Sequence, residues 1–240
     1  MLEVAQSLRE QVAWACRILA LEGYVDLTLG HVSARRTGER SLFIKRKGVA
    51  LDEVAPEDVV PLDVDADQAD VGPDMHLEAV LHTEIYKLRP DVGAVVHGHP
   101  PFSTALGATG ARIELLTHDA VLFPEGVSVF EETADLITAP EQGRAVAQAL
   151  GSRRAVLLAN HGVVVVGKDV PWAVLAAITL ERAVRLQSIA RSLGPLRSIP
   201  AAAAQRLHSS KYQDQLVEEY WASWIRRVRR SRQADGMPPE

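Results

Sequence analysis

The stretch Ala94–Phe102, "AVVHGHPPF", places two histidines one residue apart at the end of an apolar run, and two prolines follow. A β-strand directs alternate side chains to the same face, so His97 and His99 project together with their Cα atoms about 7 Å apart. Two imidazoles side by side with no adjacent acid indicate a metal site, provided that a third ligand comes from elsewhere. The alternative is a pair of partly buried histidines that donate hydrogen bonds to backbone carbonyls.

Composition narrows the class of protein. The chain has 240 residues, 47% of them hydrophobic, which favours one large domain over two small ones. The net charge of −5 gives no general attraction to nucleic acid or to a membrane surface. A single cysteine, Cys16, excludes an intramolecular disulfide and fits a reducing compartment. No apolar run approaches the roughly 20 residues that span a bilayer, and no signal-peptide pattern opens the chain, so we expect a cytoplasmic protein.

Hydrophobic periodicity predicts alternating helices and short strands. We expect helices over residues 2–22, in "MHLEAVLHTEIYKLR", from "PPFSTALG", before Gly151, in "VPWAVLAAITLERAVRLQSIARSL", and from about Tyr212 to Arg230. We expect strands in "TLGHVSARR", "RSLFIKRKG", Val59–Val64 and "VGAVVHGH", and two more on either side of the Asn-His-Gly turn of "RAVLLANHGVVVVGKD". A sheet with flanking helices makes one layered α/β or α+β domain.

The third ligand candidate is His161, which lies between two apolar strands and can reach His97 and His99 only through tertiary folding. A second candidate for chemistry is Glu78, in the helical stretch that precedes the His97 strand. Glu78 is four residues before His82, so both share a helix face. The alternative for Glu78 is an ordinary solvated glutamate.

Three segments together resemble the class II aldolase/adducin-head family. "GHVSAR" resembles its Gly-Asn-x-Ser segment, "HTEIYKLRPDVGAVVHGHPP" resembles its helix–strand block, and "LLANHGVVVVGKD" resembles its Asn-His-Gly segment. The likeness covers roughly residues 5–190. It implies a three-layer α/β/α fold with a mostly antiparallel central sheet, which gives a catalytic domain over 1–195 and a C-terminal helical extension with a frayed end over 196–240.

The resemblance also implies functional roles. One divalent metal ion per subunit would lie on His97, His99 and His161, and Glu78 matches the family's acid/base glutamate. Histidine ligation suits zinc, with manganese, cobalt and iron as alternatives. Family members are commonly homotetramers with the active site at a subunit interface, so Tyr212 or Tyr220 of the C-terminal segment is a candidate to complete a neighbour's site.

Several positions depart from the sugar-phosphate members of the family. Those members hold phosphate with an Asn, a Thr-Gly and a Ser-Ser pair, which read here as His31, Lys47-Gly48 and His76-Leu77. The phosphate cradle is therefore largely replaced, and a phosphosugar substrate is disfavoured.

Basic groups occupy that region instead. Alternation along "IKRKG" predicts that Lys45 and Lys47 share a face, and together with His31 and His76 they favour a carboxylate or phenolate substrate. The alternatives are a solvated hairpin end for the lysines and a structural hydrogen bond to a backbone carbonyl for His31. We assign substrate binding to His31, Lys47, Gly48, His76 and Tyr220.

These features are more like the family's hydroxyaromatic-acid decarboxylases, of the dihydroxyphthalate type, than its aldolases. We expect a metal-dependent carbon–carbon lyase in which the metal and its bound oxygens stabilise a phenolate or enolate and Glu78 delivers a proton. As an acid, Glu78 would need a pKa raised by burial. The first alternative is an aldolase acting on a non-phosphorylated hydroxy-keto acid or aldehyde. The second is a non-catalytic adducin-like scaffold.

Overall fold

The computed structural model describes residues 6–66 and 72–234. Its strands are short and form one seven-stranded sheet in the order β3-β2-β1-β4-β7-β6-β5. All neighbouring pairs are antiparallel except β5–β6, which is parallel, so the predicted mostly antiparallel sheet is confirmed. The strands are β1 (His31–Arg35), β2 (Ser41–Lys45), β3 (Val59–Asp63), β4 (Ala94–Gly98), β5 (Ser128–Phe130), β6 (Ala155–Leu158) and β7 (Gly162–Gly167).

Seven α-helices lie in the described part of the chain. They are α1 (Leu8–Leu21), α2 (Ala79–Leu88), α3 (Pro101–Gly107), α4 (Pro140–Leu150), α5 (Val170–Leu193), α6 (Ala201–Lys211) and α7 (Asp214–Ala234). None of these helices is both long enough and apolar enough to cross a membrane.

The sheet separates two hydrophobic cores, which makes the three layers predicted for this fold. Along β7, Val163 and Val165 face the core under α1, α3 and α5, whereas Val164 and Val166 face the core under α2 and α4. This alternation follows from the two-residue period of a strand, and burial on both faces explains the unbroken valine run.

The first helix is shorter than predicted. It begins at Leu8 because Ser7 and Glu10 form a reciprocal capping box, in which each side chain accepts the other's backbone N–H. Residues 2–5 of the predicted helix lie outside the described residues. At the other end Gly23, with a φ of 102°, ends the helix as expected.

The C-terminal segment packs against the main body. α6 was not predicted, and α7 begins at Asp214 rather than near Tyr212. Val217 and Val228 of α7 are buried in the core that α1 and α5 share. The division into a domain over 1–195 and an extension over 196–240 remains a prediction, and the end of the predicted frayed tail, 235–240, lies outside the described residues.

Candidate active site

Pairing between β4 and β7 brings the three predicted metal ligands together. The two strands are antiparallel, and Gly98 at the end of β4 lies opposite Val163 near the start of β7. His99, just past β4, therefore lies beside His161, just before β7. One ring nitrogen from each of His97, His99 and His161 lies within 4.8 Å of the others.

Two glycines permit this close approach. A Cβ atom on Gly98 would lie 2.7 Å from Oδ2 of Asp26 and 2.9 Å from the ring of Tyr24. A Cβ atom on Gly162 would lie 2.7 Å from the carbonyl oxygen of Gly98 and from Cδ2 of His99. The glycines of "HGH" and "NHG" are thus steric requirements of the histidine cluster.

The hydrogen bonds of two histidines leave their Nε2 atoms free for a ligand. Nδ1 of His97 lies 3.1 Å from the carbonyl of Val163, and Nδ1 of His99 lies 2.7 Å from Oδ1 of Asp26. In metal sites the non-ligating imidazole nitrogen donates to such a carbonyl or carboxylate, which fixes the ring and its tautomer. His97 thus bonds to a backbone carbonyl, as the alternative to a metal site predicted, but it does so only through Nδ1.

Buried nitrogens without partners test whether the cluster fits a metal. Within the described residues, Nε2 of His97 and both ring nitrogens of His161 are buried and accept or donate no hydrogen bond. A buried polar atom without a partner is costly, and a cation coordinated by these nitrogens removes that cost. Three imidazoles with a further position open are the donor set of a catalytic divalent metal, so the residues fit the ion that the sequence implies.

Glu78 lies against the same histidines. Its Oε1 is 3.5 Å from Nε2 of His161 and accepts the N–H of Ile137 at 2.9 Å, and its Oε2 is 3.6 Å from Nε2 of His97. The residue is buried and stands at the N-cap of α2, one position before the helix in which it was predicted.

The protonation of Glu78 differs from expectation. Burial raises its pKa, but the contacts with His161, His97 and the N–H of Ile137 outweigh burial and hold the pKa well below its usual range. The raised pKa that an acid role would need is not found, because these contacts favour the charged carboxylate more than burial disfavours it. Glu78 is a carboxylate at neutral pH.

His31 enters the cluster from the neighbouring strand. It pairs with His97 across β1 and β4, and their ring centroids are 4.9 Å apart. Its Nδ1 lies 2.6 Å from Nε2 of His82, whose Nδ1 lies 2.6 Å from Oγ of Ser33, which in turn lies 2.9 Å from the hydroxyl of Tyr86. Burial lowers the pKa of both His31 and His82 far below the usual range, so both rings are neutral.

This chain of hydrogen bonds tests the alternative in which His31 makes a structural hydrogen bond to a backbone carbonyl. The structural alternative, a bond to a backbone carbonyl, is wrong, because the partner of Nδ1 is the side chain of His82. With Nδ1 engaged, Nε2 is the nitrogen of His31 that remains for a ligand.

The lysines are arranged differently from the prediction. Lys45 is fully buried, and its Nζ donates to the carbonyl of Thr28 at 3.1 Å and lies 3.4 Å from Nε2 of His76. Lys47 and Gly48 lie past the end of β2 and are exposed, so Lys45 and Lys47 do not share a face. Burial, and then the charge of Lys45, lower the pKa of His76 to about 3, so His76 is neutral.

The two C-terminal tyrosines differ in exposure. Tyr212 is buried and donates its hydroxyl proton to the carbonyl of His118, so it is engaged within its own chain and does not suit a role in a neighbour's site. Tyr220 is 39% exposed, and its ring packs on Trp224 of the same helix. Within one chain, the contacts of Tyr220 do not bring it to the histidine cluster.

Asp26 is a functional candidate that the sequence analysis does not identify. Its Oδ1 accepts both the backbone N–H and the ring Nδ1–H of His99, at 2.9 and 2.7 Å. Asp26 lies 73 residues before His99 in the chain, so no local spacing points to this contact.

Sequence comparison now identifies the family. Residues 10–188 match the family described as "Class II Aldolase and Adducin N-terminal domain". The chain belongs to this family. The resemblance predicted from the three sequence segments is therefore confirmed.

Individual relatives and one solved structure show which members of the family the chain is similar to. The chain is 33% identical over 208 residues to 3,4-dihydroxyphthalate decarboxylase from Arthrobacter keyseri, covering 80% of this chain and 82% of that protein. It is 31% identical over 180 residues to the meiotically up-regulated gene 14 protein of Schizosaccharomyces pombe, covering 73% and 70%. L-fuculose 1-phosphate aldolase from Glaciozyma antarctica PI12 shares the fold, with a TM-score of 0.80 at 22% identity over 96% of this chain and 92% of that one. The chain is therefore an enzyme of the class II aldolase type, as predicted.

Proposed function

We propose that the chain decarboxylates a hydroxylated aromatic carboxylic acid, such as a dihydroxyphthalate, in a step of aromatic-compound breakdown. The observation that carries the proposal is the position of Glu78, whose two carboxylate oxygens face the partnerless Nε2 atoms of His97 and His161. A general acid/base thus lies beside the metal-binding nitrogens. The Arthrobacter decarboxylase supplies the substrate class.

The metal would be held by His97, His99 and His161. When bound there, a divalent ion supplies a Lewis acid that polarises substrate oxygens and stabilises negative charge. Zinc is the proposed ion because imidazole ligands suit it, and manganese, cobalt and iron are the alternatives to test.

The surrounding groups support an anionic substrate. Lys45 is a fixed positive charge behind His76, and its ammonium is already satisfied by carbonyl acceptors, so it acts through its field and through His76. The rings of His31 and His76 lie 4.4 Å apart at an angle of 41°. Both are neutral, so each carries a single N–H, which in His76 is on Nδ1 because Nε2 faces the ammonium of Lys45. We assign the substrate carboxylate to His31 and His76, with Lys47 and Gly48 at the exposed rim.

Glu78 would accept a proton from the substrate and later donate the same proton back to it. As a carboxylate it takes the proton of a ring hydroxyl when the substrate binds. When the bond between the ring carbon and the carboxylate breaks and CO2 leaves, Glu78 gives that proton to the same ring carbon. The ring ends as a phenolate and regains its proton from solvent, so atoms and charge balance. The low pKa of Glu78 means that the residue starts the cycle as the carboxylate that the first half requires.

We further propose a homotetramer with the active site at a subunit interface. Three apolar side chains beside Asp26 are well exposed, namely Val25, Leu27 and Leu29 at 69%, 76% and 66%. Apolar side chains that are exposed together mark interaction surfaces, and these adjoin the loop that holds His99. Tyr220, which is exposed, would then complete a neighbour's site.

The direct test is CO2 release from a panel of dihydroxyphthalates by metal-loaded protein. We expect release that a chelator stops and that added metal restores. Glu78→Gln should keep its metal and lose turnover, whereas Glu141→Gln, an isosteric change at an exposed position, should behave as wild type. Metal bound at one ion per chain without CO2 release would favour retro-aldol cleavage of hydroxy-keto acids. Turnover unaffected by Glu78→Gln would refute the proposed role of this residue.

A further inference from the structure

A cavity lies at the end of the sheet opposite the histidines. Its volume is about 390 Å³, and its wall includes Val92, just before β4, and Gly167, the last residue of β7. His99 and His161 adjoin the other ends of the same two strands. β7 spans roughly 17 Å at the usual rise per residue, so the cavity is separate from the candidate active site.

The cavity is basic although the whole chain is acidic, and we call it the basic cleft. Its volume lies within the usual range for small-molecule sites. Two acidic side chains, Asp91 and Glu125, contribute to its wall. They are outnumbered by four cationic ones, Arg89, Arg153, Arg154 and Lys168.

Three of the four cations already have partners. Arg89 forms an ion pair with Asp91 at 2.7 Å, and Lys168 pairs with Asp214. Nε of Arg153 donates to a backbone carbonyl at 3.3 Å. These contacts fix the wall of the cleft and reduce what its three residues can offer to a ligand.

Arg154, the fourth cation of the wall, differs from the other three in its contacts. Its guanidinium is half-buried over the ring of Trp172, 5.1 Å from the centroid, and in the described part of the chain it has no hydrogen bond or ion pair. Burial lowers the pKa of Arg154, and the charge of Glu125 offsets this only in part. A guanidinium held over an aromatic ring without a hydrogen bond keeps its N–H groups available, and those groups match the two oxygens of a carboxylate or phosphate.

We propose that the basic cleft binds a small-molecule anion through a carboxylate or phosphate group held by Arg154. Trp172 would fix the plane of the guanidinium, and Lys168, 5.4 Å from the centre of the same ring, would add attraction. Among the described contacts of the wall's four cations, only those of Arg154 include no hydrogen bond or ion pair, and the ligand would supply both. This site is independent of the proposed decarboxylation, since it shares no residue with the histidine cluster.

The test uses the indole N–H signal of Trp172 in a ¹H–¹⁵N spectrum of the full chain. This N–H donates to Asp214, which also pairs with Lys168, so an anion in the cleft must disturb it. Inorganic phosphate and phthalate are titrated separately against sodium chloride at equal ionic strength. Trp172→Phe assigns the signal among the four tryptophans.

We expect a saturable shift of the Trp172 signal with phosphate, phthalate or both, and none with chloride. The anion that shifts it at the lower concentration identifies the source chemistry. Arg154→Gln should weaken binding by about tenfold or more, which is typical for losing a charged hydrogen-bonding partner. Arg154→Lys should weaken it less, because it keeps the charge but loses the fork. Arg36→Gln, an exposed change on the β1–β2 turn, is the matched control and should bind as wild type.

Three titration results would overturn the proposal. They are a chloride titration that reproduces the shift, no saturation with either anion, and equal affinity in the wild type and Arg154→Gln. If Arg154→Gln fails to fold, the comparison of Arg154→Lys with Arg36→Gln decides. A change in oligomeric state in place of a change in anion affinity would assign Arg154 to a subunit contact and would also refute the proposal.

Discussion

Asp26→Asn tests whether a carboxylate outside the ligand set controls metal affinity. In the wild type, Oδ1 of Asp26 accepts two hydrogen bonds from His99, one from the backbone at 2.9 Å and one from Nδ1 at 2.7 Å. Asparagine keeps the shape and one acceptor but loses the charge that orients the ring and makes its Nε2 more basic. Loss of such a partner typically costs 10–100-fold in metal affinity, or about 1.4–2.7 kcal/mol.

The same substitution has a second, separable cost. Among the described residues, Oδ2 of Asp26 has no hydrogen-bond partner, and it lies where Gly98 and Gly30 leave space. An amide NH2 group there would be buried without an acceptor, which costs about 1–3 kcal/mol of folding stability. The variant should therefore unfold at a lower temperature even without metal.

Metal affinity is measured by competition with a chromogenic chelator, and stability by thermal unfolding of the metal-free protein. Asp52→Asn, an exposed change 26 residues further along the chain, should leave both values unchanged. His99→Ala sets the limit for full loss of a ligand. The reasoning is wrong if Asp26→Asn binds metal as tightly as wild type while His99→Ala does not.

Three further predictions concern packing and protonation. Gly98→Ala should lower stability by about 1–3 kcal/mol in urea denaturation, because its Cβ would overlap neighbouring atoms, whereas Gly110→Ala has open space and should change it by less than about 0.5 kcal/mol. Cys16 should resist thiol reagents in the native state and react once per chain in urea, since burial raises its pKa from 9.0 to about 12. Because the unfolded thiol ionises first, stability should fall from about pH 9 upward, and less steeply in Cys16→Ala. Tyr86→Phe should cost about 1 kcal/mol, because Ser33 loses a hydrogen-bond partner, and metal binding should not change.

Local sequence patterns are sufficient to predict most of the strands and helices. The β1–β2 and β6–β7 pairs are hairpins with short turns, and their alternation or apolar runs are visible in the sequence. Residues close in sequence pair with little entropic cost, so their pairing follows from the turn. The β4–β7 pairing joins residues that are 65 to 73 positions apart in the chain, and no local pattern contains it. His161 was found only through the chemical need for a third ligand and through family resemblance.

The errors at the site share a physical cause. Alternation predicted that Lys45 and Lys47 share a face, but β2 ends at Lys45 and the rule holds only inside a strand. Helical spacing placed Glu78 inside α2, but the helix begins one residue later and the carboxylate bonds to Ile137 from a distant loop. Sequence periodicity describes residues within an element, whereas these residues lie at the ends of elements, where tertiary contacts decide.

Residues at the ends of strands and helices also explain how members of one fold can act on different classes of substrate. The histidine ligands depend on glycines whose Cβ atoms would meet backbone or buried carboxylate, so that part of the site tolerates little change. The positions that held a phosphate cradle in sugar-phosphate members lie on β1, after β2 and before α2, outside this steric constraint. His31 and His76 in those positions are neutral imidazoles near the charge of Lys45, and we propose that this set favours a carboxylate over a sugar hydroxyl. It follows that substituting Lys45→Met should weaken the binding of aromatic acids while leaving metal affinity unchanged. Equal losses of both would mean that Lys45 supports the fold of the site and not its choice of substrate.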